Sequence, residues 1–104
     1  MEKTWRAGRF GRVIDTQLDL FARDHRDVLD DVDERLRAYN STNRDQAEEL
    51  YGDYVDAVET GTELLADIRD YYAATLDDPA RYLKEFNRAV ARRWPELAVE
   101  IENR

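Results

Sequence analysis

The chain has 104 residues, a net charge of −8, no cysteine, four glycines and two prolines. This length predicts one domain, residues 1–104, with a core that needs no covalent staples. The lack of cysteine excludes disulfides, thiolate nucleophiles and cysteine-based zinc sites. No apolar run approaches the ~18 residues of a membrane span and no signal peptide is visible, so we expect a cytoplasmic protein without a membrane partner.

The charge is unevenly distributed along the chain. Residues 1–14 carry +3, residues 15–78 carry −13 and residues 79–104 carry +2. The acidic middle repels nucleic acid and anionic membrane, whereas the two basic ends could attract a polyanion.

The first predicted helix covers about residues 9–39. Its apolar face recurs at spacings of three and four, the helical period: Ile14, Leu18, Phe21, His25, Val28, Val32, Leu36 and Tyr39. His25 is the only histidine, and we interpret it as a packed imidazole on this face. The positions three and four residues later are apolar, so no second metal ligand stands beside it and we predict no metal site.

A polar turn at residues 40–43 ends this helix, because each of its side chains can satisfy free backbone groups. Thr42 is the predicted N-cap of the second helix, with Asp45 in a capping-box-like position. That helix covers about residues 43–75. Two helices of equal length joined by so short a turn form an antiparallel hairpin.

The second predicted helix carries an uncharged stripe over four heptads. It comprises Ala47, Leu50, Tyr54, Ala57, Gly61, Leu64, Ile68, Tyr71 and Thr75, widened by Tyr51, Val58, Leu65 and Tyr72. A stripe of this width lets a helix bury itself against two partners instead of one.

The third predicted helix covers about residues 79–94, with a short continuation at 95–102. Asp78 as N-cap and Pro79 at the first helical position form a specific start signal. Pro95 kinks or breaks the helix, because proline cannot donate the backbone hydrogen bond of a helix interior. The predicted buried face is Leu83, Phe86, Val90, Trp94, Leu97 and Ile101.

These elements predict an all-α fold: a long antiparallel hairpin plus a third helix, a three-helix bundle that dimerises into a larger one. Folding the hairpin at residues 40–43 places Val28 beside Tyr54 and Leu18 beside Leu64. Folding back the third helix places Phe86 beside Ile68. We further expect Phe21 and Trp94 to fill the space over Ala57 and Gly61, which would explain a glycine within a helix; the alternative is an exposed, tolerated glycine.

The apolar stretch of the second helix from Leu50 to Val58 needs a partner that covers it. The chain after Pro95 covers it only if it docks there. If it does not, a second copy is the natural partner, and we favour a homodimer. The candidate interface residues are Trp5, Phe10, Tyr51, Tyr54, Val58 and Tyr72. Trp5 and Phe10 lie outside the main heptad phase, so they either fold back as a cap or belong to the interface.

The basic ends define a candidate anion-binding set that comprises Arg6, Arg9, Arg12, Arg81, Lys84, Arg88 and Arg92. In the predicted fold the first and third helices start at the same end of the molecule, where these side chains could bind phosphate or nucleic acid. The alternatives are neutralisation by Asp67, Asp70, Asp77 and Asp78 at that end, or an acidic protein partner.

No Gly-rich phosphate loop, Gly-x-Ser-x-Gly motif or zinc-finger spacing occurs in the sequence. We therefore predict no catalytic site and no cofactor. The sequence favours a small non-enzymatic helical module that self-associates and has an interaction or regulatory role. Two alternatives are an anion or nucleic-acid binder, and a small helical enzyme or metal protein built around His25.

Overall fold

The computed structural model describes residues 8–104, which form five α-helices and no strand. We label the helices α1 (Gly11–Asp24), α2 (Arg26–Asn40), α3 (Ala47–Ala73), α4 (Ala80–Arg93) and α5 (Ala98–Asn103). Short 3-10 turns at Arg44–Gln46 and Pro95–Leu97 precede α3 and α5. The predicted all-α class is confirmed for the described part of the chain.

The first predicted helix is not continuous, which corrects the sequence-based expectation. His25 interrupts it with φ −125° and ψ 37°, ending α1 and starting α2. No proline or glycine marks this break in the sequence. The bend brings Phe21 against Trp94, with ring centroids 5.5 Å apart. Burial of Phe21, which is 1 % exposed, supplies the tertiary stabilisation that a straight helix would forgo.

The connection between α2 and α3 is longer than predicted. Asn43, not Thr42, caps this region: its side-chain oxygen accepts a hydrogen bond from the Asp45 N–H at 3.0 Å. The register between α2 and α3 differs from the predicted one by seven residues, about two helical turns. Val28 therefore faces Gly61, where a Cβ would lie 3.4 Å from the Val28 Cγ1, and does not face Tyr54.

The register predicted between the second and third helices is confirmed. The rings of Tyr72 and Tyr82 lie 4.8 Å apart, and the Arg69 guanidinium donates to the side-chain oxygen of Asn87 at 3.0 Å. The Asp78 carboxylate accepts a hydrogen bond from the Ala80 N–H at 3.3 Å, but Pro79 is the N-cap and α4 begins at Ala80, one residue later than predicted. The register agrees because the sequence marks this connection to within one residue.

Pro95 breaks the helix and reverses the chain. Leu97 lies beside Gly61, and four residues later the Ile101 carbonyl accepts a hydrogen bond from Arg69 at 3.1 Å. The segment after Pro95 thus runs along α3 away from the α2–α3 turn. It docks on α3, but not over the stretch that begins at Leu50.

The core lies where α1, α4, α5 and the second half of α3 meet. Its largest fully buried side chains are Tyr82, Phe21, Phe86, Ile14, Leu18, Leu65, Leu97 and Ile101. Gly61 is buried, but its neighbours are Val28 and Leu97, so the expectation that Phe21 and Trp94 cover it is wrong.

The buried face of α3 also differs from the predicted stripe. Tyr71 is 83 % exposed, whereas Arg69 and Ala73 are buried. α1 packs mainly on α4 and not along this side of α3, so Tyr71 is left exposed, whereas Ile68 is half-buried against the core. Within residues 8–104 no helix is long and apolar enough to cross a membrane.

Candidate interaction surfaces

Within residues 8–104, one end of the molecule consists of only two helices. We call residues 33–56 the hairpin end; they comprise the last half of α2, the connection and the first third of α3. No residue in this range is buried, and the nearest buried ones are Val32 and Ala57. Yet it contains half-buried apolar and aromatic side chains: Leu36, Tyr39, Leu50, Tyr54 and Val55. This end therefore carries core-type residues without a third element to cover them.

Tyrosines dominate this surface. Tyr51 is 50 % exposed; its ring centroid lies 5.3 Å from that of Tyr39 across the hairpin and 6.3 Å from that of Tyr54. Partial burial, then the Glu96 carboxylate and Tyr51, raise the pKa of Tyr54. Exposed aromatic clusters with free hydroxyls are typical of protein interfaces.

A pocket opens where the hairpin end meets the Pro95 turn. Its volume is about 170 Å³, and its walls are Arg26, Leu29, Asp30, Val32, Asp33, Trp94, Glu96 and Leu97. Trp94 is half-buried, with its ring against Phe21 on one side and the Arg93 guanidinium 6.0 Å from its centroid. The pocket thus has an apolar base and a charged rim.

The candidate interface residues separate into two groups. Phe10 packs edge-on against Tyr82 at 5.5 Å, Tyr72 packs on the same ring, and Val58 is 8 % exposed. These three contribute to the core of the single chain. Tyr51 and Tyr54 remain on the hairpin end. Trp5 lies outside the described residues.

The basic side chains of α4 form a stripe on its outer face, made up of Arg81, Lys84, Arg88 and Arg92, all exposed. Arg81 lies 3.7 Å from the Glu85 carboxylate. Within residues 8–104, no carboxylate lies within 4.0 Å of the charged groups of Lys84, Arg88 and Arg92. This part of the stripe is therefore open to an anion.

The start of α1 lies beside the start of α4. The Glu85 carboxylate accepts hydrogen bonds from the backbone N–H groups of Arg9 (3.3 Å) and Phe10 (3.0 Å). It thus caps α1 from another helix and opposes the positive end of its dipole. Arg9 and Arg81 line one cleft with Asp77 and Asp78, which places acidic and basic groups together there. Arg12 is exposed on α1, and Arg6 lies outside the described residues.

The burial of two polar side chains, Arg69 and Tyr82, was not predicted from the sequence, although Tyr82 was expected on or beside an apolar face with a partner for its hydroxyl. Arg69 is 4 % exposed and binds Asp70, Asn87 and the Ile101 carbonyl. The sequence did hold one signal, because Arg69 is the only basic residue between 45 and 80. Tyr82 is fully buried and donates its hydroxyl hydrogen to Gln17 Oε1 at 2.9 Å; burial raises its pKa to about 12.

His25 lies at the break between α1 and α2, half-buried, with its ring centroid 5.2 Å from that of Phe21. Among residues 8–104, no three His, Asp or Glu side chains are grouped so that they could hold a metal ion.

Searches against family models, curated proteins and solved structures found no match.

Proposed function

We propose that this chain is a non-enzymatic helical interaction module that self-associates through its hairpin end. The observation that carries the proposal is the 24-residue hairpin end with half-buried Leu36, Leu50 and Tyr54 and no buried residue. Two-helix units rarely satisfy their own apolar faces, and a second pair of helices completes a four-helix bundle. A second copy supplies that pair by symmetry.

The size of this surface sets the expected affinity. With a rise of about 1.5 Å per residue and helices about 10 Å wide, the hairpin end presents a face of roughly 15 by 20 Å. Even with the surroundings of the Trp94 pocket added, this lies below the roughly 800 Å² per partner of a standard interface. The dimer should therefore be reversible, so that its population rises with protein concentration.

A matched pair of substitutions tests the proposal. Val55→Asp places a carboxylate on the hairpin end, whereas Val99→Asp makes the same change on α5, where the side chain is already 74 % exposed. Sedimentation velocity over a concentration series should show a dimer for wild type and Val99→Asp and a monomer for Val55→Asp. Circular dichroism should show that both variants keep their helices. Equal masses for the two variants would contradict the hairpin end as the interface.

A second candidate function rests on the open part of the α4 stripe. Lys84, Arg88 and Arg92 point to solvent without a nearby carboxylate in the described chain, which suits phosphate groups. Fluorescence anisotropy with a labelled single-stranded DNA tests it at two salt concentrations. Binding that weakens with salt and is lost when all three are changed to Gln would support anion binding. Binding unchanged by the triple substitution would reject it.

A further inference from the structure

We propose that Tyr51 of each copy enters the pocket beside Trp94 of the other copy. This inference rests on the proposed self-association and specifies the contact at its centre. The group that fills the pocket is then a tyrosine ring from a second copy of this chain.

The pocket has the size and polarity that a phenol ring requires. Its volume of about 170 Å³ is close to the ~150 Å³ of an apolar cavity that holds benzene. Leu29, Val32, Leu97 and the Trp94 ring supply the apolar walls. The carboxylates on the rim are hydrogen-bond acceptors for a hydroxyl at the far end of the ring.

Tyr51 is an exposed aromatic side chain of the hairpin end that can contact a second copy of the chain. It lies seven residues before Val58 and fourteen before Leu65, so these three share one side of α3. Val58 and Leu65 are 8 % and 0 % exposed, whereas Tyr51 is 50 % exposed. Its hydroxyl makes no hydrogen bond within residues 8–104.

The pocket lies on this same side of the hairpin. The Pro95–Leu97 turn contributes to its wall, and Leu97 Cδ1 would lie 3.9 Å from a Cβ at Gly61, which is three residues after Val58 and four before Leu65 on α3. The exposed ring of Tyr51 and the pocket therefore lie one after the other along the same face of the hairpin.

The spacing of the two features suits a two-fold arrangement. Tyr51 stands beside Tyr39 of α2, and the pocket begins at Leu29 to Asp33 of the same helix. The separation of six to ten residues is about 9–15 Å along the helix axis. A two-fold axis halfway between them sets each Tyr51 opposite the other copy's pocket, so that both contacts form at once. Aromatic anchors in pockets at the centre of an interface are the groups whose truncation costs most affinity.

The experiment uses Trp94 as its own reporter. In a Trp5→Phe background Trp94 is the single tryptophan, so its fluorescence reports the pocket alone. The test substitution is Tyr51→Ala, and the matched control is Tyr71→Ala, on the same helix with an 83 % exposed ring. Dimer dissociation constants come from sedimentation, and Trp94 emission is followed on dilution.

We expect wild type and Tyr71→Ala to dimerise with constants within about twofold of each other and to change Trp94 emission on dilution. Tyr51→Ala should raise the dissociation constant at least about tenfold, as expected for a hot-spot residue, and should abolish the emission change. Tyr51→Phe should keep the emission change because the ring still fills the pocket.

Two results would overturn the inference, and they can be told apart. If the chain dimerises and Tyr51→Ala behaves like Tyr71→Ala, the tyrosine contact is wrong while self-association stands. If the parent chain is monomeric at every concentration, both the contact and the proposed function fail.

Discussion

The buried arginine of α3 gives the sharpest prediction about the fold. Arg69 Nη1 donates to Asn87 on α4 at 3.0 Å and to the Ile101 carbonyl at the end of α5 at 3.1 Å. Its third partner, Asp70, has a side chain 60 % exposed. Arg69 therefore joins three helices, and two of its bonds lie where water competes poorly.

The magnitude for Arg69→Met follows from these bonds. A hydrogen bond to a charged group contributes about 1.5–3 kcal/mol, and methionine keeps most of the apolar packing. The desolvation of the guanidinium, which methionine avoids, offsets part of this loss. We expect a net destabilisation of about 2–3 kcal/mol, or roughly 10 °C in Tm for a chain of this length.

The assay is urea unfolding followed by circular dichroism, at one fixed protein concentration because self-association adds to apparent stability. The control is Asp70→Asn, which removes only the exposed ion pair and should cost less than about 1 kcal/mol. If Arg69→Met cost no more than Asp70→Asn, the assignment of Arg69 as a three-helix clamp would be refuted.

Three further predictions concern single positions. Gly8→Ala should destabilise the chain by about 1–2 kcal/mol in urea unfolding, because Gly8 has φ +89° and a Cβ there would lie 2.7 Å from the Glu85 carboxylate; no loss would contradict the cap geometry. Gly52→Ala should stabilise it by about 1 kcal/mol in the same assay, since nothing lies within 4 Å of a Cβ at this helical site, and an unchanged midpoint would speak against it. The raised pKa of Tyr82, about 12, predicts that stability is retained below pH ~10 and falls as pH rises from there through 12, because the unfolded tyrosine ionises first. A pH titration of tyrosinate absorbance should show a late step that Tyr82→Phe removes; a Tyr82 that titrates with the exposed tyrosines would contradict its burial.

Much of the helical layout could be predicted from the sequence because local signals marked it. The Asp78–Pro79 pair starts a helix and Pro95 breaks one, and each acts on the backbone within a few residues. The resulting α3–α4 register is confirmed by the Tyr72–Tyr82 contact.

The bend at His25 and the α2–α3 register could not be predicted from such local sequence signals. The bend has no local breaker and depends on Phe21 meeting Trp94, a contact between residues 73 positions apart. The register depends on where the connection begins and ends, and the 3-10 turn at Arg44–Gln46 contributes to the observed displacement of about two helical turns.

The candidate surfaces, too, could be predicted from the sequence only in part. The sequence identified the stretch from Leu50 to Val58 as a region whose cover depended on the chain after Pro95. Only the structure shows that this segment docks in the opposite direction and leaves Tyr51 exposed. The Trp94 pocket was missed because its walls come from α2 and from the Pro95 turn, which are distant in sequence.

The central claim is that the hairpin end binds a second copy of the chain. Light scattering on the wild-type protein, over a concentration series at low and high salt, tests it most directly. Because the proposed interface is apolar and aromatic, the mass should rise toward twice 12.3 kDa with concentration at both salts. A mass of 12.3 kDa at every concentration would contradict the claim.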